Sequence, residues 1–387
     1  MAEMDIDHDV PTVLATLRTE ADPDLVPMFY TMEDLWERKL WHQLTDALKE
    51  FYANPKSENL RYRMFTQFIA SFEKKINQLS LVRFALAASN QCSDTTEALG
   101  FLESIATKVE GKKDSADAHV FSQIEIARVK LKLNKLDDAR DLLQQSQKAL
   151  DALDSVDPVI NASFYSVASE YYKAKADFSS YYRNALLYLA CIKLEELSTV
   201  QQQQLAYDLA VAALLGDKIY NFGELLLHPI LESLKGTEYS WLYDILFALN
   251  AGDVEAFEGL SDHLAKQPLL QHSLPFLRQK ICLTALTEAV FQRPSSNRVL
   301  SFQTIAKEAH LVVEEVEHLV MKALSLGLLK GFIDQVSQTV TVTWLQPRVM
   351  NKAQIDTMRQ KLVQWDQQVN DLGQWMQDAG KEIWTSV

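Results

Sequence analysis

The sequence is most constrained by a series of short polar turns that recur about every 40 residues. Each turn contains an aspartate, and these lie at Asp94, Asp137, Asp177, Asp217 and Asp253, which are 43, 40, 40 and 36 residues apart. Aspartate is a favoured N-cap, because its carboxylate accepts the unpaired amide hydrogens of a helix's first turn. Two helices of ~15 residues with two short turns fill such a period, which is the unit of helical solenoids. The spacing therefore predicts a helical-repeat solenoid, with an irregular helical bundle as the alternative.

Glycine and proline are scarce, which also indicates helices. The 387 residues include 11 glycines and 10 prolines, together about 5%, whereas average usage is about 12%. Because these residues punctuate turns and strand ends, their scarcity argues against a β-sandwich, a β-barrel or a long disordered chain. Hydrophobic residues make up 48% of the chain, which is enough for a substantial core. We predict a long, mostly helical, soluble protein.

The charge and the cysteines indicate where the chain works. The formal net charge is −14, and such an acidic chain repels nucleic acids and anionic membranes unless it has a local basic patch. The longest apolar run, Ala185 to Ile192, has eight residues, whereas ~20 span a bilayer, and the first residues lack a signal-peptide pattern. Cys92, Cys191 and Cys282 are isolated and odd in number, so no disulfide framework is expected. These features predict a cytoplasmic and nuclear protein with no membrane partner.

The sequence pattern changes after about Pro294. Ser301 opens a short amphipathic helix, and Gly327 stands where a left-handed residue is expected to end a second one. Threonine then alternates with apolar residues over 339–344, which is typical of a half-buried strand. Two helices followed by a β-hairpin make a winged helix, and no other β structure is predicted. The predicted elements are helices over 302–310 and 312–326 and strands over 328–333 and 339–344.

The last part of the chain, from Asn351, is predicted to be one helix with an apolar seam. Apolar residues recur along it at alternating spacings of three and four, the heptad pattern of a coiled coil or bundle. Burying one large apolar side chain contributes ~1.5–3 kcal/mol, so an exposed seam forfeits on the order of 10 kcal/mol. We favour a partner from another chain, because the seam is narrow and terminal; the alternative is a helix folded back on its own solenoid. The predicted partner-binding residues of this bundle helix are Ile355, Met358, Leu362, Trp365, Val369, Leu372 and Met376.

Motifs for catalysis, cofactors and metals are missing from the sequence. It has no phosphate-binding loop and no Gly-x-Gly-x-x-Gly, Gly-x-Ser-x-Gly or His-Glu-x-x-His motif. Asp5, Asp7 and Asp9 resemble the start of a calcium loop, but the glycine that such a loop needs is absent. His310 and His318 have no cysteine or third ligand near them in sequence. We therefore expect no enzyme, no cofactor and no metal site.

A winged helix raises the hypothesis of a nucleic-acid adaptor, because its second helix often enters the major groove. Here that helix carries Glu314, Glu315 and Glu317 against Lys322 alone. The region 299–346 contains three lysines and five acidic residues, whereas phosphate recognition needs a basic stripe. The charges therefore disfavour DNA and RNA as partners.

The same fold can instead offer the edge of its sheet to a neighbouring chain. The predicted wing strand places Thr339, Thr341 and Thr343 on its exposed face, where they leave that edge unblocked. These threonines are the second set of predicted partner-binding residues.

Four stretches of the sequence form a recognisable set. They are TLRTEADP over 16–23, QLAYDL over 204–209 with GDKIYNFGEL over 216–225, FLRQKICL over 276–283, and VEHLVMKALSLGLLKG over 316–331 with IDQV over 333–336. With them, almost the whole chain resembles the PCI-domain, non-ATPase subunits of the lid of the 26S proteasome regulatory particle. The last two stretches are general to PCI domains, and the first two are more specific to one subunit.

The resemblance implies a right-handed, TPR-like solenoid that leads into a winged helix and a terminal helix. The implied domains are a solenoid over 1–293, whose last repeats belong to the PCI module, a winged helix over 294–347 and a bundle helix over 348–387. In such subunits the winged helices pack side by side, and terminal helices from many subunits gather into one bundle.

The function implied by the resemblance is a non-catalytic scaffold in a hetero-oligomer, which supports lid assembly and ubiquitin-dependent protein degradation. The implied partners are other PCI subunits, with a place near the metalloprotease-containing pair and the ubiquitin receptor. Two alternatives stay open. One is a PCI scaffold of the signalosome or of a translation-initiation complex, and the other is the nucleic-acid adaptor.

Overall fold

The structure is a computed structural model, which describes residues 10–92, 94–110, 115–153, 155–265, 267–293, 298–347, 349 and 352–384. The acidic residues Asp5, Asp7 and Asp9 lie outside this part of the chain, as does Pro294. The chain forms two compact units, Met1–Leu197 and Ser198–Val387. Each unit is a group of residues that mainly contact one another. These units do not test the predicted domain bounds at 293 and 347, which stay a prediction.

The first unit consists of helices and short helical turns. Its buried core contains large aromatic side chains such as Phe29, Phe51 and Phe68. A run of 3-10 and π turns with a three-residue helix interrupts the regular helices between Pro55 and Phe72. The helices are α1 (Val10–Glu20), α2 (Val26–Glu37), α3 (Trp41–Ala53), α4 (Arg61–Arg63), α5 (Gln78–Ser89), α6 (Thr95–Val109), α7 (Ala116–Lys132), α8 (Leu136–Asp151), α9 (Pro158–Ala174) and α10 (Phe178–Cys191).

The second unit continues with helices and contains the winged helix. Its helices are α11 (Thr199–Leu215), α12 (Gly223–Leu227), α13 (Ser240–Ala251), α14 (Val254–Gly259), α15 (Ser261–Ala265), α16 (Pro268–His272), α17 (Leu274–Phe291), α18 (Phe302–Glu308), α19 (Val313–Ser325) and α20 (Lys352–Trp384). Its strands are β1 (Val299–Ser301), β2 (Leu329–Asp334) and β3 (Thr339–Leu345). The central helix is α17, which packs against α13, α14, α18, α19 and β3. No described helix is both long enough and apolar enough to span a bilayer.

The helices repeat with the predicted period. α5, α7, α9, α11 and α13 begin 38, 42, 41 and 41 residues apart. In the first unit α7 packs against α8, α9 packs against α10, and α7 also packs against α9, so that each helix pair lies on the next, as in a solenoid. The prediction of a helical-repeat solenoid is confirmed.

Most of the recurring aspartates stand at the start of the second helix of a pair. The Asp177 carboxylate accepts a hydrogen bond from the Ser180 amide at 3.1 Å, and the Asp253 carboxylate accepts one from the Ala256 amide at 3.0 Å. Asp94 occupies the N-cap position of α6, and Asp137 lies in the first turn of α8. Asp177 and Asp253 are therefore N-caps as predicted, whereas Asp94 makes no side-chain capping hydrogen bond and Asp137 lies inside α8, whose N-cap is Lys135.

Asp217 is the exception, and the prediction that it opens a helix is wrong. The chain follows an irregular turn after Gly216, and the next helix, α12, begins only at Gly223 and has five residues. This turn surrounds a buried lysine, which is described below. The backbone of this turn therefore binds a side chain from a distant part of the sequence, and the local spacing of the repeats gives no indication of that contact.

The winged helix agrees closely with the predicted elements. The Ser301 hydroxyl caps α18 by accepting a hydrogen bond from the Thr304 amide at 3.3 Å. Gly327 follows α19 with a φ of +71°, the left-handed conformation that commonly ends a helix. On β3, Val340 and Val342 are buried, whereas Thr339 and Thr341 are half-buried. The alternating strand is confirmed.

The sheet corrects the predicted wing edge. It has three strands in the order β1-β3-β2, so β3 is its central strand. β1 pairs Ser301 with Thr339 and Val299 with Thr341, which occupies the edge that Thr339 and Thr341 were expected to offer to a neighbour. Thr343 lies beyond these pairs and donates its hydroxyl hydrogen to the Lys330 carbonyl at 3.1 Å. The edge strands of the described sheet are β1 and β2.

Gly252, between α13 and α14, is expected to tolerate no side chain. It has a φ of +69°, and an added Cβ would lie 2.7 Å from the Ala285 Cα on α17. Gly252→Val should therefore lower the free energy of unfolding by roughly 2–5 kcal/mol, since left-handed strain and overpacking add. Urea unfolding followed by circular dichroism measures this. Gly259→Val is the control, because an added Cβ there meets no atom within 4 Å; equal losses in both variants would contradict the explanation.

Candidate protein-interaction surfaces

The terminal helix α20 presents its apolar seam to solvent. The seven predicted seam residues, from Ile355 to Met376, have between 49% and 65% of their surface exposed. Every described side chain over 358–379 is classed as exposed, so the alternative of a helix folded back on its own solenoid is not what the structure shows. An exposed apolar face of this length is typical of an interaction surface.

The structure also adds two residues that sequence reasoning missed on α20. Val363 and Trp375 lie outside the seven-residue seam and are 46% and 66% exposed. Trp375 precedes Met376 and widens the apolar face near its end. The heptad count excluded both because it followed only the strict 3–4 spacing. The opposite face is polar, with Gln360, Gln367 and Gln374 recurring every seven residues.

The outer side of the winged-helix sheet is a second exposed surface. Phe332 on the edge strand β2 is 59% exposed, and Trp344 on β3 is 39% exposed. The Lys330 ammonium lies 5.0 Å from the centre of the Trp344 ring, close enough for a cation–π contact. Exposed aromatic side chains such as Phe332 and Trp344 are enriched at protein interfaces.

Lys280 is the most unusual polar residue of the second unit. It lies on α17 with none of its surface exposed. Its Nζ donates hydrogen bonds to the carbonyl oxygens of Ala213, Leu214 and Gly216 at 2.7, 3.0 and 2.8 Å. These carbonyls are at the C-terminal end of α11, where helices leave such groups unpaired and where the helix dipole favours a cation.

Three aromatic rings complete the surroundings of Lys280. Its Nζ lies 5.5, 5.3 and 5.6 Å from the ring centres of Tyr220, Phe222 and Phe276. Burial lowers the pKa of Lys280 to about 7. The charge of the Asp217 carboxylate opposes this lowering of the pKa. The three carbonyl acceptors also favour the charged amine, because only that form has three hydrogens to donate.

Lys280 joins two of the stretches that carry the family resemblance. Gly216, Tyr220 and Phe222 belong to the stretch 216–225, and Lys280 and Phe276 belong to the stretch 276–283. The stretch 216–225 also lies against the chain that follows β3, since a Cβ on Gly223 would lie 2.6 Å from the Val349 Cβ. In the sequence, the contact between Lys280 and the stretch 216–225 is indicated by one feature. This feature is a single lysine among apolar residues, on a helix that is buried on nearly all sides.

The charges of the winged helix are those expected from the sequence. Glu314 and Glu315 are exposed in the first turn of α19, as is Lys322 in its last turn. Glu317 accepts a hydrogen bond from the Gln335 side chain at 3.2 Å. Among the described residues, no group of three or more histidines, cysteines or carboxylates could hold a metal ion.

We expect no mobility shift of a duplex of about 30 base pairs by about 10 µM protein at about 50 mM salt, because α19 lacks a basic stripe. A gel-shift assay measures this. Glu314→Lys with Glu315→Lys reverses two charges on the same helix and should increase binding. A shift with the unchanged protein that disappears at about 200 mM salt would support the nucleic-acid adaptor instead.

Comparison with known proteins accounts for most of the chain. Residues 28–246 match the family model of the PSD13 N-terminal repeats, residues 254–344 match the PCI domain, and residues 348–380 match the Rpn9 C-terminal helix. The 26S proteasome regulatory subunit RPN9 of Saccharomyces cerevisiae is 45% identical over 97% of this chain and 99% of its own length. The chain belongs to the RPN9 family of proteasome regulatory subunits. The probable 26S proteasome regulatory subunit rpn9 of Schizosaccharomyces pombe is 47% identical over 94% of the chain.

Membership of the RPN9 family confirms the resemblance stated from the four stretches. The matched C-terminal helix, 348–380, contains all seven seam residues. A more distant relative, the eukaryotic translation initiation factor 3 subunit M of Yarrowia lipolytica, is 28% identical over 41% of the chain. The RPN9 relationship is therefore both closer and longer than the relationship to the translation-initiation scaffold.

Proposed function

We propose that the chain is a non-catalytic scaffold subunit of the lid of the 26S proteasome regulatory particle, supporting lid assembly and ubiquitin-dependent protein degradation. The observation that carries this proposal is the exposed seam of α20. Its side chains make a continuous apolar stripe along a helix of 33 residues, and this stripe stays unburied unless another chain covers it. The match of the same region to the Rpn9 C-terminal helix supports α20 as a feature of the family, and the proposed partner of its seam is a bundle of helices from other lid subunits.

The second contact in this proposal is the outer surface of the winged-helix sheet. Because β3 is central, a neighbouring winged helix would meet the edge strand β2 and the exposed Phe332 rather than the three threonines. Other PCI subunits are the proposed partners here. Proximity to the metalloprotease-containing pair and the ubiquitin receptor, and a cytoplasmic and nuclear location, also belong to the proposal.

The proposal assigns no catalysis to this chain. The sequence contains none of the nucleophile, phosphate-loop or metalloprotease motifs that were sought. The pure protein should therefore release no ubiquitin from a ubiquitin conjugate. Metal-dependent release by the isolated chain would overturn this part of the proposal without affecting the structural part.

Affinity purification of the tagged chain, with and without residues 351–387, tests the proposal. Mass spectrometry should find lid subunits with the full chain and far fewer with the shortened one. Because the described part of α20 is exposed, the shortened chain should keep its thermal unfolding midpoint, which shows that it remains folded. Retrieval of signalosome or translation-initiation subunits would favour the alternative complexes. Equal retrieval of lid subunits by both chains would remove α20 from the proposal.

A further inference from the structure

The first unit contains a groove of about 630 Å³ that has no part in the proposal above. Its floor is a stripe along α9, formed by Asn161, Tyr165, Ala168, Tyr172 and Lys175. Side chains of α8 and α10 form its two walls. The floor covers 14 helical steps, or ~21 Å at ~1.5 Å per residue. A stack of helices commonly binds its partners on such a concave surface.

One end of the groove is basic. Arg140 comes from the first part of α8, Lys175 follows the end of α9, and Arg183 comes from the first part of α10. Asp151 is the one carboxylate among the groove residues, although two others lie beside the basic end. Asp141 lies 3.3 Å from Arg140, and Asp177 accepts a hydrogen bond from the Ser180 hydroxyl at 2.8 Å and interacts with the charge of Lys175. Arg183 forms no ion pair with the described residues. Counting Asp141 and Asp177, the cluster keeps a formal charge of +1, carried by Arg183, in a chain with a net charge of −14. It therefore favours an anionic ligand.

The other end of the groove is apolar. Leu150, Leu153 and Val156 line it from the end of α8 and the following loop, and Leu187 lines it from α10. Leu187 is 40% exposed. A ligand that fills the whole groove therefore needs carboxylates at one end and apolar side chains at the other.

Side-chain amides line the groove between its two ends, from Gln144, Gln147 and Asn184, and Asn161 adds one at the apolar end of the floor. Asn184 donates one hydrogen bond to the Ser180 carbonyl at 2.8 Å and keeps its own oxygen as an acceptor. Amides can both donate to and accept from a peptide backbone. An extended peptide has free backbone groups for them, whereas a helix satisfies most of its own. At ~3.3 Å per residue, about six extended residues fit the floor.

We propose that this groove binds an extended acidic segment of another polypeptide, with its carboxylates beside Arg140, Lys175 and Arg183 and its apolar side chains beside Leu150 and Leu187. The side-chain amides between these two ends form hydrogen bonds with the backbone of the bound segment. This site lies in the first unit and does not depend on α20, so it provides a contact separate from the bundle.

Fluorescence anisotropy with short labelled peptides tests this site on the full chain. The probes are the amidated peptide Leu-Val-Gly-Ser-Asp-Glu, its reversed sequence, and a version that ends in Lys-Arg. At least one acidic peptide should bind ten times more tightly than the basic one. Lys175→Glu with Arg183→Glu should weaken that binding at least tenfold. Leu187→Asp should weaken it by acting on the opposite end.

The control variant is Lys148→Glu with Lys193→Glu, which makes the same charge change at exposed positions outside the groove. All these positions are on the surface, and circular dichroism should show unchanged folding. The proposal is overturned if the control variant weakens binding as much as the groove variant, or if the acidic and basic peptides bind alike. It is also overturned if single-stranded oligothymidine binds the groove more tightly than the acidic peptides, because stacking on the tyrosines would then explain the site.

Discussion

Replacing Lys280 with methionine is expected to lower the free energy of unfolding by about 3–5 kcal/mol. Methionine approximates the volume of the lysine stem but cannot donate to the carbonyls of Ala213, Leu214 and Gly216. The Gly216 carbonyl also accepts a hydrogen bond from the Ile219 amide at 3.4 Å. The carbonyls of Ala213 and Leu214 are therefore the ones left without a partner, and each such buried carbonyl costs ~1–3 kcal/mol. The ammonium also loses its three aromatic neighbours. Urea unfolding followed by circular dichroism measures the change.

The control is Arg278→Met, two residues earlier on the same helix. Arg278 is exposed, so the same loss of a cation should change stability by no more than ~0.5 kcal/mol. If Lys280→Met proves as stable as the unchanged protein, the carbonyls must be satisfied in another way and Lys280 is not what holds the end of α11. A crystal structure of the variant would then show which groups replace it.

Trp365→Asp combined with Leu372→Asp is expected to abolish co-purification with lid subunits while leaving a folded chain. Both side chains are more than half exposed, so their loss should cost the free protein little. In a bundle each would be buried, and losing two large apolar contacts removes roughly 3–6 kcal/mol of association free energy. At ~1.4 kcal/mol per factor of ten, this corresponds to more than a hundredfold weaker binding. Quantitative mass spectrometry of the purified complexes measures it.

The matched control changes Gln367 and Gln374 to aspartate. These residues have the same spacing and the same helix, and they gain the same two charges on the polar face. This variant should co-purify with lid subunits as the unchanged chain does. If it fails equally, the added charge rather than the apolar seam explains the loss, and normal recovery of the Trp365 and Leu372 variant would refute the role of the seam outright.

The regular elements could be predicted from the sequence because their signals are local. The heptad of α20, the N-cap at Ser301 and the left-handed Gly327 each depend on residues within a few positions of one another. The three-residue strand β1 is too short for such a pattern. It exists because β3 pairs with it, and that pairing joins residues about 40 positions apart. For this reason the wing strand was predicted as an edge and is the centre of the sheet.

The joint around Lys280 and the groove along α9 depend on contacts that the sequence pattern does not contain. Lys280 and Gly216 are 64 positions apart, so the repeat pattern treated Asp217 as another N-cap. The groove combines one face from each of three helices, and none of these faces is distinctive alone. Basic, amide and apolar side chains become a single surface only after the helices pack.

The exposed seam of α20 also makes free and bound copies of this protein differ in their exposed apolar surface. In the complex proposed above, a bound copy would hide the seam, whereas the free chain displays Trp365, Trp375 and their apolar neighbours to every protein that binds exposed hydrophobic side chains. Non-specific association grows with the concentration of such exposed surface. We therefore expect free copies of the chain to aggregate more readily than copies in the proposed complex.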